Sequence, residues 1–580
     1  MKKRILYNES NYEAIVLENG YFVDKTEYIA KLEKIKNPIF LRPRRFGKST
    51  FCSLLWHYYD RGFADRFEEL FGHTWIGQNP TGQQGQHIVL FFNFSTIATG
   101  PTIHDIEASF KRQCNFWLSL IFQDYADVLG NTLEVDLKAS VADTLYTLVS
   151  LARRRGVQLF VIIDEYDNFA NQLITTNRDR LYDQLTDDNG FLKAFFKTLK
   201  EGREMGAIAN VFITGVLPIL IDELASGFNV GSFITLDTEF EAMAGFTQPE
   251  VDKLLDELYN DYPIEPATRS EVDALIKNYY DGYHFCKPSL DDTLDDIEQG
   301  LYNSSILIYF LNHLQRKLTV PERLIDGNVK TDISWVKRLT ASNNDLTEAF
   351  VNQLTLHNAI AFDEKMLVEQ FDMTQFFDQS YFPISFFYLG MLTRDSSFQL
   401  RLPNLTMREI FVEYFNRIHS IDVSTRYLEV MQTFINRPNL EQLFHGYWSH
   451  YISQFPEAIF TQVNENFYRS TFFELCSRHL SQWFTWNIER SYPSGKSDLE
   501  FVGKYNEQFA GLRWVIEFKY ISNSKLRTLD MTIDAFELET DDTEQISGYV
   551  EGLQQEYPEA RISQYVIYCF GNQGFRIFEV

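Results

Sequence analysis

The sequence predicts an α/β protein of several domains, and three observations carry that reading. At about 150 residues per domain, 580 residues are enough for roughly four units. Hydrophobic residues at 45% and charged residues at 23% supply a core for each and leave no reason to expect long disorder. Through the first 240 residues short apolar runs alternate with helix-period segments, as a parallel sheet with crossover helices requires.

The candidate strands of that first domain, 1–240, are 38–41, 87–94, 158–163, 210–214 and 232–236. Between them, 49–59 and 103–125 carry apolar residues at helical spacing that would cover the sheet faces. From 241 to 315 the pattern is wholly helical, opening with Thr247 as N-cap, Pro249 in the first turn and Glu250 three residues on, and it is expected to form a helical lid. A middle region, 316–456, is helical too. It holds two short apolar runs, 389–393 and 398–402, before another helix, which gives a winged-helix-like expectation of helix, β-wing and helix. The last domain, 457–580, returns to mixed α/β with strands at 499–502, 514–518 and 565–570.

Charge and cysteine usage exclude several classes. The net charge of −27 repels nucleic acid and anionic membrane at long range, which rules out a broadly basic binder and leaves a local basic groove open. Cys52, Cys114, Cys286, Cys476 and Cys569 are scattered and form no C-x-x-C, so neither a disulfide framework nor a zinc ribbon is expected. The N-terminal apolar run is only Ile5, Leu6 and Tyr7, too short for a signal peptide, and no run approaches the roughly 18 residues of a spanning helix. The expected setting is cytoplasmic, with no membrane partner. The high aromatic share, 16%, reads as core because no Arg/aromatic array accompanies it, and the run Arg153 to Arg155 reads as cations at a helix C-terminus.

Residues 38–41 followed by Arg42-Pro-Arg-Arg-Phe-Gly-Lys-Ser-Thr50 and a helix make strand, phosphate loop and helix. In such a loop backbone N–H groups wrap the phosphates, a Lys neutralises the terminal ones and a hydroxyl ligates Mg²⁺. Gly47, Lys48 and Ser49 occupy those places, with Arg44, Arg45, Phe46 and Thr50 completing the ATP-binding stretch; Arg42 stands where the consensus has Gly. Residues 159–163 then run apolar into Asp164 and Glu165, a Walker B arrangement. Asp164, with Ser49, is assigned to Mg²⁺, and Glu165 to polarising the attacking water. These elements, in order within one α/β region, predict a P-loop NTPase that binds and hydrolyses ATP. Thr214 is read either as a polar residue presented to the γ-phosphate or as a strand-end Thr with no ligand. Arg44 and Arg45 have two partners open to them, phosphate oxygens or Asp167. No residue can be named as an arginine finger, although a homo-oligomer is compatible with ATPases of this broad type.

Near the C-terminus Asp498 enters one candidate strand, and Glu517 and Lys519 lie on the next. Residues two apart on a strand share a face, so Glu517 and Lys519 point together while Phe518 faces away. A hairpin brings Asp498 beside Glu517 to hold Mg²⁺, with Lys519 orienting or deprotonating the water that attacks a phosphodiester. By itself this pattern also describes any half-exposed strand.

Several runs in order along the chain resemble the bacterial AAA-ATPase-like proteins that carry a C-terminal PD-(D/E)XK nuclease-superfamily domain. They are Tyr-Phe-Val-Asp-Lys-Thr at 21–26, the loop 42–49, Ile-Asp-Glu-Tyr-Asp at 163–167, Phe-Ile-Thr-Gly-Val at 212–216 and Ser-Gly-Phe-Asn at 226–229. Gly-Phe-Thr at 245–247, Tyr-Asp-Gly-Tyr-His-Phe at 280–285 and Leu-Tyr-Asn at 301–303 follow. The resemblance implies that an arginine-rich loop without a leading Gly is usual, that the lid associates tightly with the ATPase sheet, and that 457–580 has a restriction-endonuclease-like core. It also implies that Ser497 replaces a Pro, that Glu465 on an upstream helix supplies a third metal-holding acid, and that Gln545 lines the site through its amide. Glu474 reads instead as a partner of Arg478 at i,i+4 spacing.

Two functions follow. In the first, an ATP-binding and hydrolysing P-loop NTPase regulates a Mg²⁺-dependent phosphodiester-cleaving domain in the same chain, which binds nucleic acid. In the second, a signalling or scaffold NTPase carries a nuclease-like domain that only binds nucleic acid or a protein partner. Asp498, Glu517 and Lys519 favour the first, and the charge of −27 favours a non-nucleic-acid role for much of the surface. A small-molecule kinase would need an acceptor pocket and base that the sequence does not display.

Overall fold

A computed structural model describes residues 2–580 except 131–133, 177, 186, 188–189, 220–229, 288–299, 326–343, 368–374, 377, 424–426, 493–494, 506 and 530; the run 226–229 lies outside the described residues. The first sheet has five parallel strands, β1 (Pro38–Leu41), β2 (Ile88–Asn93), β3 (Leu159–Asp164), β4 (Ile208–Gly215) and β5 (Ser232–Phe233), in the spatial order β2-β3-β4-β1-β5. β1 and β3 are buried at every position, which is why they read as unbroken apolar runs. β1 lies between β4 and β5, while the chain leaves it for β2 at the far edge. That reversal opens a crevice at the carboxyl ends of the strands, where α/β sheets take their ligands.

Helices α1 (Lys48–Tyr59), α2 (Ile103–Asp124), α3 (Val141–Arg155) and α4 (Phe191–Glu204) cover the sheet. α3 ends on Gly156 at φ 66°, with Arg153, Arg154 and Arg155 in its last turn and Arg155 Nε donating to Leu129 O, so the basic run complements a helix end. β5 is shorter than the predicted 232–236. Thr235 turns its hydroxyl to the Leu41 amide (2.9 Å), and the Thr235 carbonyl accepts from Arg42 (2.7 Å), which takes the segment out of the ladder.

Three helices expected as a lid follow: α5 (Gln248–Asp261), α6 (Arg269–Tyr280) and α7 (Ser304–Lys317). α5 starts at the predicted Thr247 with a capping box to Glu250, and α7 is capped by Asn303, whose side chain accepts from Ile306. The middle region contains α8 (Asn344–His357), β6 (Ile360–Ala361), α9 (Phe382–Tyr388), a hairpin of β7 (Thr393–Arg394) and β8 (Gln399–Arg401), and α10 (Leu405–Ile418). β6 adds antiparallel to β8, so helix, wing and helix occur in the expected sequence.

At the C-terminus α11 (Glu465–Leu480) precedes a five-stranded sheet in the order β13-β12-β11-β10-β9. Its strands are β9 (Phe484–Tyr492), β10 (Gly495–Gly503), β11 (Leu512–Ile521), β12 (Arg561–Phe570) and β13 (Gly574–Glu579). All neighbours are antiparallel except β11 and β12, which are joined by the crossover helix α12 (Thr540–Glu556). Alternation along β11 separates two cores: Trp514, Ile516 and Phe518 pack in the core shared with α11, and Val515 packs with Ile546, Tyr549 and Leu553 of α12. No described helix is long and apolar enough to cross a membrane.

Candidate functional sites

The phosphate loop lies in a cavity of about 570 Å³ at the carboxyl end of β1. Gly47 starts α1 at φ 89°, a backbone shape that glycine adopts without steric cost. Arg44, Arg45, Phe46, Gly47, Lys48, Ser49 and Thr50 all border the cavity, and Glu165 reaches it from the end of β3. Lys48 is buried and donates to the carbonyls of Arg42 and Pro43, both at 2.9 Å. Burial pulls its ammonium pKa down against the attraction of Glu165 and Asp164.

Asp164 is fully buried, and neither carboxylate oxygen meets a donor at full hydrogen-bond geometry. Burial pushes its pKa up, while the Ser49 hydroxyl and Lys48 favour the charged form. A buried carboxylate without strong donors, next to a hydroxyl and a phosphate loop, is the donor set that Mg²⁺ takes. Glu165 sits at φ 51°, a strained shape for a residue with a Cβ, and burial raises its pKa against Lys48.

Two predicted residues point elsewhere. The Thr214 hydroxyl donates to Phe40 O at 2.7 Å, because the register sets Thr214 opposite Phe40, and the side chain is buried away from the cavity. Asp167 accepts from the Val216 and Leu217 amides, the latter at 2.7 Å, and from Asn171 Nδ2 at 2.7 Å, so its carboxylate pins the turn after β4. Arg42 turns inward: it donates to Leu41 O, Thr235 O and Glu241 O and lies over the rings of Phe40 and Phe285 at 4.5 and 4.4 Å. It is a staple beneath the loop.

The rest of the cavity comes from segments the residue chemistry did not single out. Residues 5–10, Tyr21 and Phe22 form one wall, and Phe246, Leu254 and Ile308 of the helical segment form another. Lys25 closes the two together, with Nζ 2.6 and 2.7 Å from the Glu250 oxygens. The loop carbonyls are held from the same side: Asn303 Nδ2 donates to Arg44 O, the Ser305 amide to Arg45 O and the Gly245 amide to Phe46 O. Phe46 packs edge-on to Tyr283 and Phe285. The short runs 245–247, 280–285 and 301–303 therefore meet in space around the phosphate loop. The family resemblance, rather than residue chemistry, is what marked them in the sequence.

In the C-terminal sheet Leu499 pairs with Ile516, which sets Asp498 beside Glu517 and Phe518. The Phe518 amide donates to Asp498 Oδ2 at 2.7 Å, and Arg469 Nη1 donates to Asp498 Oδ1 at 2.6 Å. Glu517 is buried, its Oε1 accepting from Gln545 at 2.8 Å and its Oε2 without a partner. Burial, with Asp498 adding, pushes the Glu517 pKa up to about 8. Lys519 Nζ contacts Glu517 (3.3 Å), Asp542 (3.1 Å) and Gln545 Oε1 (3.1 Å). Burial works against its charge, but Glu517 and Asp542 outweigh it and raise the pKa.

Glu465 lies at the first position of α11, exposed, where it senses Asp498 and Lys519. Among the described residues no group of three or more His, Cys, Asp and Glu side chains is placed to hold a metal ion. Glu465, Asp498 and Glu517, expected as that group, are not among such a group, and both oxygens of Asp498 already accept, from Arg469 and the Phe518 amide. Ser497 is buried and donates to Glu500 at 2.9 Å, a bond that Pro cannot make. Glu474 pairs with Arg478, as its spacing predicts. Asp542 was not anticipated. Its signal is helical spacing with Gln545 and Tyr549 on one face of α12.

The family model of predicted AAA-ATPases matches residues 7–225, and that of the PD-(D/E)XK nuclease superfamily matches 463–579. Among solved structures, the Aeropyrum pernix ORC2 protein in its ADPNP-ADP complexes is similar at 12% identity over 68% of this chain and 91% of that one, with a TM-score of 0.32. Cdc6p from Pyrobaculum aerophilum is similar at 11% identity over 70% and 98%, with a TM-score of 0.26. No curated protein matches the chain. One chain thus joins a predicted AAA-ATPase domain, which carries the phosphate loop and Asp164, to a PD-(D/E)XK nuclease superfamily domain, which carries Asp498, Glu517 and Lys519.

Proposed function

We propose that the chain binds and hydrolyses ATP and that this controls Mg²⁺-dependent phosphodiester cleavage by its C-terminal domain. The observation that carries the first half is buried Asp164, its oxygens lacking strong donors, beside Ser49 and the loop. Lys48 would leave the Arg42 and Pro43 carbonyls for the terminal phosphates, and Ser49 with Asp164 would hold the metal. Glu165, which faces the cavity, would orient the attacking water. In the C-terminal domain Asp498 and Glu517, with Glu465, would hold the metal that polarises the phosphodiester. Lys519, 3.3 Å from Glu517 and 3.1 Å from Asp542, would orient or deprotonate the attacking water.

Control of one site by the other is supported by contacts that run between them. Residue 282 is Gly at φ 96°, and a Cβ there would meet Pro403 O at 2.2 Å. Thr406 and Asn404, at the start of α10, donate to Tyr279 O and Asp281 O at the end of α6. Asn278 of α6 donates to Asn487 of β9 at 2.8 Å. Units at 1–240, 241–315, 316–456 and 457–580 remain the proposed division, and five free, buried cysteines suit the proposed cytoplasmic setting.

The test is cleavage of labelled single- and double-stranded DNA and RNA with Mg²⁺ or Mn²⁺, with and without ATP, in wild type, Asp498→Ala and Lys48→Ala. Cleavage lost in Asp498→Ala and altered by Lys48→Ala is the expected result. ATP turnover with no cleavage of any substrate would favour a signalling NTPase whose C-terminal domain only binds. The donors already seated on Asp498 are the observation on that side.

A further inference from the structure

Arg469 lies where a cation bound to Asp498 would lie. It is on α11 one turn after Glu465, is 5% exposed, and divides its guanidinium between two carboxylates. Nη1 donates to Asp498 Oδ1 and Nη2 to Glu489 Oε1, each at 2.6 Å, and Nη2 also meets Asn466 Oδ1. A guanidinium presents its donors in a fixed plane and never loses its charge, so it fills a cation seat without help from solvent.

The second carboxylate is set in place by the backbone. Glu489 has φ 54° and interrupts the pairing of β9 with β10: Ser497 faces Arg490 and Leu499 faces Ile488, and the pair between them is skipped. Such a local break re-aims a side chain. The other oxygen of Glu489 lies 3.8 Å from Arg408 Nη2. Arg408 is 7% exposed and belongs to α10, the helix whose first turn is bonded to α6. Arg408, Glu489, Arg469 and Asp498 thus form an alternating row of charges from the helix bound to α6 to the C-terminal site.

We infer that Arg469 is a resident counter-ion that competes with divalent metal for Asp498. Metal enters when Arg469 lets go of Asp498 and keeps Glu489 alone, and Arg408, 3.8 Å from the other oxygen of Glu489, opposes that by drawing on the same carboxylate. The inference rests on reading Asp498 and Glu517 as the metal site and adds to it the cation that already occupies one oxygen of Asp498. It also assigns α10 the means of regulating that site: a shift of α10 that carries Arg408 away from Glu489 leaves both oxygens of Glu489 to Arg469.

The experiment is Mn²⁺ titration of the full chain without nucleotide, read by the electron paramagnetic resonance signal of free Mn²⁺, in an Asp164→Asn background that silences the N-terminal site. Arg469→Ala is expected to bind Mn²⁺ at least about tenfold more tightly than the background. Adding Asp498→Asn should abolish that gain, and millimolar guanidinium should return Arg469→Ala to the background affinity. Arg408→Gln, which leaves Arg469 in place, should tighten binding about two- to threefold. If Arg469→Ala stays folded and binds no more tightly, Arg469 is not a competitor. If it does not fold, Arg408→Gln decides, and an unchanged affinity there overturns the inference. Equal Mn²⁺ binding by all variants with intact Asp498 overturns the competition and leaves the metal site standing. No binding by any variant overturns both.

Discussion

The two sites treat their leading acid in opposite ways. Asp164 is buried with no strong donor on either oxygen, whereas both oxygens of Asp498 carry a donor within 2.7 Å. The first arrangement leaves the burial of a carboxylate uncompensated, and the second spends the acid on internal structure. Local stability and readiness to bind are therefore traded differently at the two ends of one chain.

Thermal unfolding without nucleotide or metal, followed by calorimetry so that separate transitions are resolved, puts that contrast to the test. Asp498→Asn should destabilise the C-terminal transition by about 3 kcal/mol, because Arg469 and the Phe518 amide lose their carboxylate. Asp164→Asn should do the reverse, raising the N-terminal transition by about 1 kcal/mol. Equal signs would show that the two acids are not differently held.

The junction between the sites comes next in size. Gly282→Ala places a Cβ 2.2 Å from Pro403 O at a positive φ, so about 2 kcal/mol should be lost and the two transitions should separate further in temperature. Unchanged transitions would mean that the lid helices and α10 are not joined there.

The smallest effect is one of pH. Glu271 of α6 has a buried oxygen without a partner, and burial raises its pKa to about 7 although Arg513 and Lys504 pull it down. Its folded pKa exceeds the unfolded one, so its cost is absent below the ordinary carboxylate range and complete above about pH 7. Glu271→Gln should therefore stabilise the protein near pH 8, by about 1 kcal/mol, and change nothing near pH 4. A gain of equal size at both values would assign the effect to packing.

What the sequence revealed was local. The strand, loop and helix around Lys48, the acids after β3 and the capped start of α5 are written in neighbouring residues, so period and motif suffice. The Asp498–Glu517 hairpin apart, what depends on register was hidden. Thr214 spends its hydroxyl on Phe40 because β4 lies beside β1, and Arg469 reaches Asp498 from a helix nearly thirty residues away in sequence. β9 and β13 were missed as well. β9 mixes Asn487, Glu489 and Arg490 among its aromatics and breaks its own alternation at Glu489, while β13 is only six residues long.

The carbonyls of Arg44, Arg45 and Phe46 are fastened by Asn303, Ser305 and Gly245, all beyond the stretch 7–225 that the ATPase family model matches. A gene fragment cut at that boundary would encode the loop and both Walker acids yet omit what gives the loop its shape. The smallest piece that carries the complete cradle ends after α7, at Lys317, so the shape of the loop depends on residues as far along the chain as Ser305.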